Sequence, residues 1–190
     1  AQPYYVKTAF QPQFEYEDAQ RLAQQLSVQM KTIYLNPLED ADVAANPANR
    51  CYYCKRRIFT AITDAARADG FEVLLDGTNA SDRVDDRPGM KALQELRVLS
   101  PLRLCGLTKD EIRRRSKEAE LFTWNKPSYA CLATRIPTGT VITLEDLERT
   151  ERCEAFLMQL GFSGFRIRLM DGCARLEMPQ EQLPQLLAHR

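Results

Sequence analysis

Alternating helical and strand patterns constrain the fold of this chain more than any other feature of its sequence. Apolar side chains recur at helical spacing over residues 15–30, and a short strand pattern follows over residues 32–35. A second helical pattern over residues 51–68 leads into Phe-Glu-Val-Leu-Leu at residues 71–75, an apolar run with the length of a buried strand. Helices and strands that alternate in this way predict an α/β fold with a parallel sheet and crossover helices.

A polar loop, Asp-Gly-Thr-Asn-Ala-Ser-Asp, follows the predicted buried strand at residues 76–82. Ligands of open parallel sheets bind at the carboxyl ends of the strands, and the Asp, Asn and Ser side chains of this loop offer donors and acceptors there. The same residue types also form turns that precede helices. The composition of the loop therefore leaves a binding loop and an ordinary turn equally open.

The pattern changes towards the C-terminus. A long amphipathic helix is predicted from Thr143, and two short strands follow at residues 165–169 and 174–178. The Asp-Gly pair at residues 171–172 joins the strands as a tight hairpin, and Pro179 opens a final helix. A helix, a hairpin and a helix form a small α+β unit.

The length of the chain agrees with one full domain, or with one full domain and a small second one. We assign residues 1–138 to the α/β domain and residues 139–190 to the C-terminal α+β domain. Within the first domain, a helix is predicted after Arg-Pro-Gly at residues 87–89. A further helix opens with Thr108 and Glu111, which have the spacing of a capping box.

Three cysteines carry the strongest chemical signal. Cys51 and Cys54 form a Cys-x-x-Cys pair, and Cys131 lies in Tyr-Ala-Cys-Leu-Ala-Thr-Arg. Three converging thiolates can hold an iron–sulfur cluster by three of its irons and leave the fourth open for chemistry. Zinc is the weaker metal because the chain has one histidine, His189. The spacing alone leaves a cluster, a redox pair and structural thiols open.

The other cysteines, Cys105, Cys153 and Cys173, lie among apolar neighbours, so we predict that they pack in the core. Six cysteines are too sparse for a disulfide scaffold, and the sequence has neither a leader nor a run of about 18 apolar residues. We therefore expect a soluble protein of the reducing cytoplasm without a membrane partner.

The charge is balanced, with 26 basic and 26 acidic residues, which argues against a dedicated nucleic-acid binder. The arginine run at residues 113–115 is interpreted as a solvated helix face. Arg166 and Arg168 are two positions apart in a predicted strand, so they project from one face and suit a phosphate or carboxylate. Glu177 and Glu154 could complete an anion and metal site, although cross-strand salt bridges are the commoner use of such residues.

Four motifs in one order resemble the LarE family, from about residue 10 to the C-terminus. They are Asn-Arg-Cys-Tyr-Tyr-Cys-Lys at 49–55, Leu-Asp-Gly-Thr-Asn-Ala-Ser-Asp at 75–82 with Asp-Arg-Pro-Gly at 86–89, Trp-Asn-Lys-Pro at 124–127 with Ala-Cys-Leu-Ala-Thr-Arg at 130–135, and Leu-Gly-Phe at 160–162 before Arg-Ile-Arg at 166–168. LarE proteins are ATP-dependent sulfur transferases of the PP-loop pyrophosphatase superfamily, and they build the nickel-pincer nucleotide cofactor. The resemblance implies a PP-loop fold of the adenine nucleotide alpha-hydrolase type.

The resemblance also implies a reaction. Enzymes of this family adenylylate a carboxylate of a pyridinium mononucleotide with ATP and then install sulfur to give a thiocarboxylate. Members that are similar to this chain use a [4Fe–4S] cluster held by three thiolates, with an extra sulfide on the open iron. Cys51, Cys54 and Cys131 would be the cluster ligands and the catalytic group.

Further site residues follow from the same resemblance. Asp76, Thr78 and Asn79 would lie in the loop that binds ATP with Mg²⁺. Arg166 and Arg168, with Glu154, would match the family's phosphate- and metal-binding group. Arg135 beside the nucleotide, or Lys126, would help to neutralise the transferring phosphate, or would be a structural cation. The family places the arginine pair at a subunit interface, so we expect a homo-oligomer, a hexamer by analogy, and a small-molecule nucleotide substrate.

The phosphate loop of the superfamily, Ser-Gly-Gly-x-Asp-Ser, is absent from this sequence, which begins near what would be the second strand of the fold. We expect that this segment of the natural protein is missing here, because the motifs downstream keep the family pattern; the alternative is a member that does not bind pyrophosphate in the usual way. One alternative function is a cluster-dependent tRNA thiolase of the same superfamily, although the neutral charge and the lack of paired zinc-ribbon motifs argue against it. The other is a non-catalytic iron–sulfur or redox binding module.

Overall fold

A computed structural model describes residues 1–82 and 88–188 of the chain, which form a mixed α/β protein. Asp86, Arg87 and His189, which figure in the sequence predictions, lie outside the described residues. The strands are β1 (Tyr4–Lys7), β2 (Lys31–Tyr34), β3 (Arg166–Met170) and β4 (Cys173–Glu177). The helices are α1 (Gln13–Gln25), α2 (Ala41–Ala44), α3 (Arg50–Ala68), α4 (Pro88–Glu95), α5 (Pro101–Leu104), α6 (Lys109–Glu118), α7 (Leu144–Gln159) and α8 (Leu183–Ala188). Short 3₁₀ turns occupy Pro37–Glu39, Leu132–Arg135 and Gln180–Gln182.

A two-stranded parallel sheet is formed by β1 and β2, in a register that pairs Tyr4 with Lys31. The helix α1 connects the two strands, as parallel neighbours require a crossover connection. The predicted parallel sheet with a crossover helix is therefore confirmed for this pair. The helix ends at Gln25, earlier than the predicted residue 30, because Ser27 adopts a left-handed φ of 53° that helical residues cannot have.

The apolar run at residues 71–75 is not the buried strand that its sequence predicts. Its one described strand contact is an isolated parallel bridge from Leu75 to Leu99, and Val73 and Leu75 remain 62% and 57% exposed. The run instead lines a cavity of 560 Å³ together with residues 1–4 and apolar side chains of α3. A strand is buried only where neighbours cover it, and the side that faces this cavity has no strand partner among the described residues.

The C-terminal part contains the predicted α+β unit. Thr143 caps α7, because its Oγ1 accepts a hydrogen bond from the Asp146 N–H at 3.1 Å. The strands β3 and β4 pair in antiparallel fashion, and Gly172 in their tight turn has a φ of 68°, as the Asp-Gly signal predicts. A 3₁₀ turn precedes α8, so the last helix begins at Leu183 rather than directly after Pro179.

Two apolar clusters form the core of the described residues. The first draws on both sides of the boundary that the sequence predicts after residue 138. Its buried members are Phe10, Val43, Leu132, Ala133, Ile136, Ile142 and Leu147. The second cluster, around Phe162, Phe165 and Ile167, lies wholly in the C-terminal unit. That unit thus has a small core of its own and shares the larger one, and the division into two domains stays a prediction.

The helix α6 begins with the predicted capping box. Thr108 Oγ1 accepts from the Glu111 N–H at 3.4 Å, and Glu111 Oε2 accepts from the Thr108 N–H at 2.8 Å. Arg114 and Arg115 on this helix are exposed, in agreement with a solvated face, whereas Arg113 is half-buried and donates to the Lys126 carbonyl at 3.4 Å. Among the described residues, every helix is too short or too polar to cross a lipid bilayer.

Candidate three-cysteine site

Two of the three predicted cluster cysteines, Cys51 and Cys131, meet at Arg50, the first residue of α3, and Cys54 lies one helical turn after Cys51. Arg50 Nη2 lies 3.9 Å from Cys51 Sγ, and its Nη1 lies 3.8 Å from Cys131 Sγ. Cys131 immediately precedes the 3₁₀ turn that starts at Leu132, so a loop far along the chain meets the first turn of α3. Cys54 and Cys131 also pack against the larger apolar cluster.

The thiols differ in their surroundings. Cys51 is exposed, whereas Cys54 and Cys131 are half-buried. Burial raises the pKa of Cys54 to about 12, because the thiolate would lose its hydration; nearby Cys131 adds to the shift and the charge of Arg50 opposes it. Without a metal, Cys54 is therefore a neutral thiol at pH 7, and a bound metal would deprotonate it directly.

The three thiols suit an iron–sulfur cluster by their donor chemistry. Within residues 1–82 and 88–188, no group of three or more His, Cys, Asp or Glu side chains is arranged to hold a single metal ion. A cluster makes a different demand, because each thiolate binds a separate iron and the sulfurs need not surround one point. The donor set thus fits a three-thiolate cluster, and the presence of that cluster remains a proposal.

A cavity of 570 Å³ connects the Cys-x-x-Cys helix with the polar loop. Its lining includes Cys51 and Lys55 of α3, Asp76 and Thr78 of the loop, and Gly89 of α4. The structure therefore brings one predicted cluster cysteine and two of the predicted nucleotide-binding residues to the same opening. A cavity of this size accommodates a small-molecule ligand.

The polar loop is held in shape by its own side chains. The carboxylate of Asp76 accepts from Thr78 Oγ1 at 2.5 Å and from Ser100 Oγ at 2.6 Å. The Asn79 N–H donates to Asp82 Oδ2 at 3.0 Å, and Asn79 Oδ1 accepts from the Ser81 N–H at 2.9 Å. These bonds are those of an ordinary turn, but they also fix a polar rim at the cavity. Both interpretations of the loop sequence stay open, and nucleotide binding remains a prediction.

Lys55 is a functional candidate that received no role from the sequence patterns. It lies four residues after Cys51 on α3, so both side chains share a helix face and reach the same cavity. Its side chain passes over Gly89, where an added Cβ would lie 2.8 Å from Lys55 Cδ. The four-residue spacing from Cys51 is the signal that identifies Lys55 once the helix is predicted.

Arg135 and Glu154 form a buried ion pair, with each side chain 1% exposed. Arg135 Nε donates to Glu154 Oε1 at 2.8 Å and Nη2 donates to Oε2 at 3.1 Å. The Tyr129 hydroxyl and the Ile167 N–H also donate to this carboxylate. Burial, and then the bond to Glu154, raise the pKa of Tyr129 well above its usual range. Ligand binding by Arg135 or Glu154 would require the pair to separate, and their predicted contacts remain predictions.

The arginines of β3 occupy the hairpin face predicted for them. Arg166 is exposed, while Arg168 donates to Glu177 Oε2 at 2.8 Å and to the Thr134 carbonyl at 3.0 Å. Arg175 also pairs with Glu177, at 2.9 Å, and the Arg168 bond holds the pKa of Glu177 below its usual range. Cross-strand pairing, the commoner alternative, is thus present. Arg168, Arg175 and Glu177 nevertheless line a cavity of 350 Å³.

Lys126 lies in a different environment from the other predicted site residues. Its Nζ pairs with Asp18 at 2.6 Å and with Glu15 at 3.1 Å, both on α1, and lies 5.1 Å from the centre of the Phe14 ring. These contacts tie the loop before Cys131 to α1, which agrees with the alternative of a structural cation.

The prediction that Cys105, Cys153 and Cys173 pack in the core is wrong, because all three are exposed. Apolar neighbours in the sequence do not determine which side of an element faces the core. Phe156, one helical turn after Cys153, is itself 59% exposed. Cys153 and Cys173 instead line a surface cavity of 360 Å³.

The described residues define a mixed α/β protein in which Arg50 contacts two of the three candidate cysteines, and one of these, Cys51, opens on the cavity beside the polar loop. No protein-family model matches the chain. The chain is 38% identical to an uncharacterized protein of Synechocystis sp. over 173 residues, which are 91% of this chain and 65% of that protein. It is 30% identical to the pyridinium-3,5-bisthiocarboxylic acid mononucleotide synthase of Lactiplantibacillus plantarum, again over 91% of this chain and over 63% of that enzyme.

A third relative, an uncharacterized protein of Methanocaldococcus jannaschii, is 28% identical over 177 residues, which are 93% of this chain and 68% of that protein. The chain thus spans about two thirds of the length of the relatives it matches, and slightly less for the first two. Similarity over nine tenths of the chain supports the resemblance to the LarE family that the motifs indicate.

Proposed function

We propose that this chain belongs to the LarE family and carries the sulfur-donating part of an ATP-dependent sulfur transferase. The observation that carries the proposal is the contact of Arg50 with both Cys51 and Cys131, with Cys54 one helical turn further along α3, in a chain 30% identical to a pyridinium-3,5-bisthiocarboxylic acid mononucleotide synthase. The substrate would be a pyridinium mononucleotide carboxylate, and the product a thiocarboxylate for the nickel-pincer nucleotide cofactor.

The proposed chemistry has two steps. A carboxylate oxygen of the substrate attacks the α-phosphorus of ATP, and pyrophosphate leaves. A sulfur anion then attacks the acyl carbon, so that a carbon–sulfur bond forms and the carbon–oxygen bond to AMP breaks. Adenylylation is needed because a carboxylate oxygen is a poor leaving group, whereas AMP leaves readily.

The residues around the 570 Å³ cavity would divide these tasks. Asp76, Thr78 and Asn79 would contact ATP and its Mg²⁺, and the cavity opens beside them. Lys55 would supply a positive charge for phosphate oxygens. The three cysteines would hold a [4Fe–4S] cluster, which when bound supplies a sulfur nucleophile already deprotonated by iron.

The hairpin arginines would bind the phosphate of the nucleotide substrate. Arg166 is free to approach an anion from solvent, and a phosphate at Arg168 would compete with Glu177. By analogy with the family, this surface would lie between subunits of a homo-oligomer, a hexamer, in the reducing cytoplasm. Arg135 and Glu154 would contact substrate only if their buried pair separates, and Lys126 would do so only by leaving its carboxylate partners on α1.

The experiment that tests the proposal is a measurement of iron and acid-labile sulfide in protein reconstituted without oxygen. We expect about four irons per chain in the parent protein, with loss of the cluster in Cys51→Ala, Cys54→Ala and Cys131→Ala. Cys105→Ala is the matched control, because this cysteine is exposed and outside the site, and it should keep its iron.

Two outcomes separate the alternatives. A parent protein that takes up no iron excludes the cluster and leaves a transferase that sacrifices a cysteine sulfur, or a silent relative. A cluster-bearing full-length protein that binds no ATP favours an iron–sulfur or redox module. Transfer of sulfur to tRNA rather than to a pyridinium mononucleotide would favour a tRNA thiolase.

A further inference from the structure

The side chain of Arg50 is a buried cation whose described hydrogen-bond partners are sulfur atoms. The residue is 6% exposed, and its two terminal nitrogens approach Cys51 Sγ and Cys131 Sγ at 3.9 Å and 3.8 Å. Its guanidinium carbon lies 5.6 Å from the centre of the Phe10 ring. Within residues 1–82 and 88–188, no carboxylate forms an ion pair with Arg50.

Burying a charged side chain costs free energy when all its partners are neutral. Removing a guanidinium from water carries a desolvation penalty, which an aromatic face and two thiols offset only in part. The contrast with Arg135 is informative, because that arginine is equally buried but has the bidentate carboxylate of Glu154. A negatively charged ligand beside Cys51 and Cys131 would pair with the Arg50 guanidinium, as the Glu154 carboxylate pairs with Arg135.

A second feature adds positive potential at the same place. Arg50 and Cys51 are the first residues of α3, a helix of 19 residues, and the side chain of its N-cap residue, Asn49, forms no capping hydrogen bond. The aligned peptide dipoles of a helix leave a partial positive charge at its start, which favours anions. The guanidinium and the helix start therefore act in the same direction on Cys51.

We propose that Arg50 is the positioning residue of the three-cysteine site and holds anionic sulfur between Cys51 and Cys131. The ligand class is reduced sulfur with a negative charge, such as hydrosulfide or sulfide joined to a thiolate-bound metal. This inference deepens the proposed function and rests on it for the identity of the reaction. The planar guanidinium has donors on both terminal nitrogens, so one residue can orient the sulfur from two sides.

The test uses the metal-free protein and two alkylating reagents of equal size and different charge. Iodoacetate is an anion and iodoacetamide is neutral, and both react with the same thiolate, so the ratio of their rates reports the local electrostatic potential. Rates at Cys51 and Cys131 are measured by peptide mass spectrometry, with Cys105 as the internal reference. A cation about 4 Å from the sulfur favours the anionic reagent about fivefold.

The variants isolate the charge of Arg50. Arg50→Gln should lower the rate ratio at Cys51 and Cys131 about fivefold and leave the ratio at Cys105 unchanged. Arg50→Lys should retain most of the ratio because the charge remains. Arg67→Gln is the matched control, since it removes the same charge from an exposed position near the end of the same helix and should change nothing at the thiols.

Each outcome decides the proposal. The proposal is overturned if the ratio of iodoacetate to iodoacetamide rates at Cys51 and Cys131 equals the ratio at Cys105 in the parent protein. It is also overturned if Arg50→Gln leaves the ratio unchanged. Arg50 would then serve to pack against Phe10. If Arg50→Gln does not fold, as judged by circular dichroism, the ratio in the parent and its decline with added salt provide the same test. Because no iron is present, the result is independent of iron uptake, so the two proposals can fail separately.

Discussion

At the scale of single residues, the ion pairs near the candidate site differ in their burial. Arg135 and Glu154 are both fully buried, and the carboxylate accepts further hydrogen bonds from Tyr129 and Ile167. The Arg168–Glu177 pair is about one third exposed on each side and competes with solvent. The first pair joins the turn after Cys131 to α7 and β3, so it fixes the loop that carries one proposed ligand of the cluster.

Glu154→Gln should destabilise the protein strongly. The substitution keeps the shape of the side chain but leaves Arg135 buried without a counter-charge, and the expected loss is about 3–5 kcal/mol in the free energy of unfolding. Glu177→Gln is the matched control and should cost about 0–1 kcal/mol, because its pair is exposed. Urea unfolding of both variants gives the comparison. Equal losses would show that the buried pair has no special weight.

Tyr5 gives a prediction on pH. Burial raises its pKa to about 12, with a further contribution from Glu15, and its hydroxyl has no hydrogen-bond partner among the described residues. The unfolded chain releases this proton near pH 10, so the stability that Tyr5 contributes is complete below pH 10 and is lost as the pH rises through 12.

Tyr5→Phe should therefore make the decline of stability between pH 10 and pH 12 shallower than in the parent. At pH 7 the free energy of unfolding should be unchanged or higher by about 1 kcal/mol, because an unpartnered buried hydroxyl is removed. Unfolding by urea across the pH range measures both effects. A parallel decline of the two proteins above pH 10 would contradict the assignment.

At the scale of elements, two helices, α3 and α4, approach each other closely beside the candidate site. The helices α3 and α4 pack so that the Lys55 side chain of α3 crosses Gly89 in the first turn of α4. The buried glycine leaves room that any other residue would fill. This contact directs Lys55 towards the cavity that Cys51 and Asp76 also line.

Gly89→Ala should displace Lys55 rather than unfold the protein. The new Cβ would lie 2.8 Å from Lys55 Cδ, and this flexible side chain can move at little cost. Stability should stay within about 1 kcal/mol, because alanine is also the better helix former. Acylation of Lys55 by an activated ester, followed by peptide mass spectrometry, should become faster. Gly77→Ala, in the same cavity with no atom within 4 Å of its added Cβ, should leave this rate as in the parent.

At the scale of the whole molecule, the larger apolar cluster connects parts that the sequence pattern assigns to different domains. Leu147 of α7 is 1% exposed and shares this cluster with Phe10 and Val43. Backbone hydrogen bonds from Gly139 to the Asn46 carbonyl and from Ile142 to the Ala44 carbonyl cross the same boundary. The C-terminal unit is therefore expected to unfold together with the rest of the chain.

Leu147→Ala should lower the free energy of unfolding by about 2–5 kcal/mol, because it leaves a cavity in the shared cluster. Hydrogen exchange should then accelerate on both sides of residue 138, around Val43 as well as in α7. Leu157→Ala, which changes the smaller cluster, should accelerate exchange in the C-terminal unit alone. An effect of Leu147→Ala confined to residues after 138 would instead support two independent domains.

The sequence by itself determined the features that depend on local interactions. The helix α3, the capping box at Thr108 and Glu111, and the tight turn at Gly172 were all predictable, because a helix period, a cap and a turn involve residues a few positions apart. The cysteine motifs and their order also indicated the family resemblance without any structure.

Only the tertiary structure decided burial and pairing. The contact of Arg50 with Cys131 spans 81 positions, and the ion pair of Arg135 with Glu154 joins a turn to a distant face of α7. The exposure of residues 71–75, and of the three cysteines predicted to be buried, likewise depends on neighbours that are remote in sequence. The physical reason is that apolar periodicity shows which side chains can be buried, whereas the packing of distant elements determines which of them are covered.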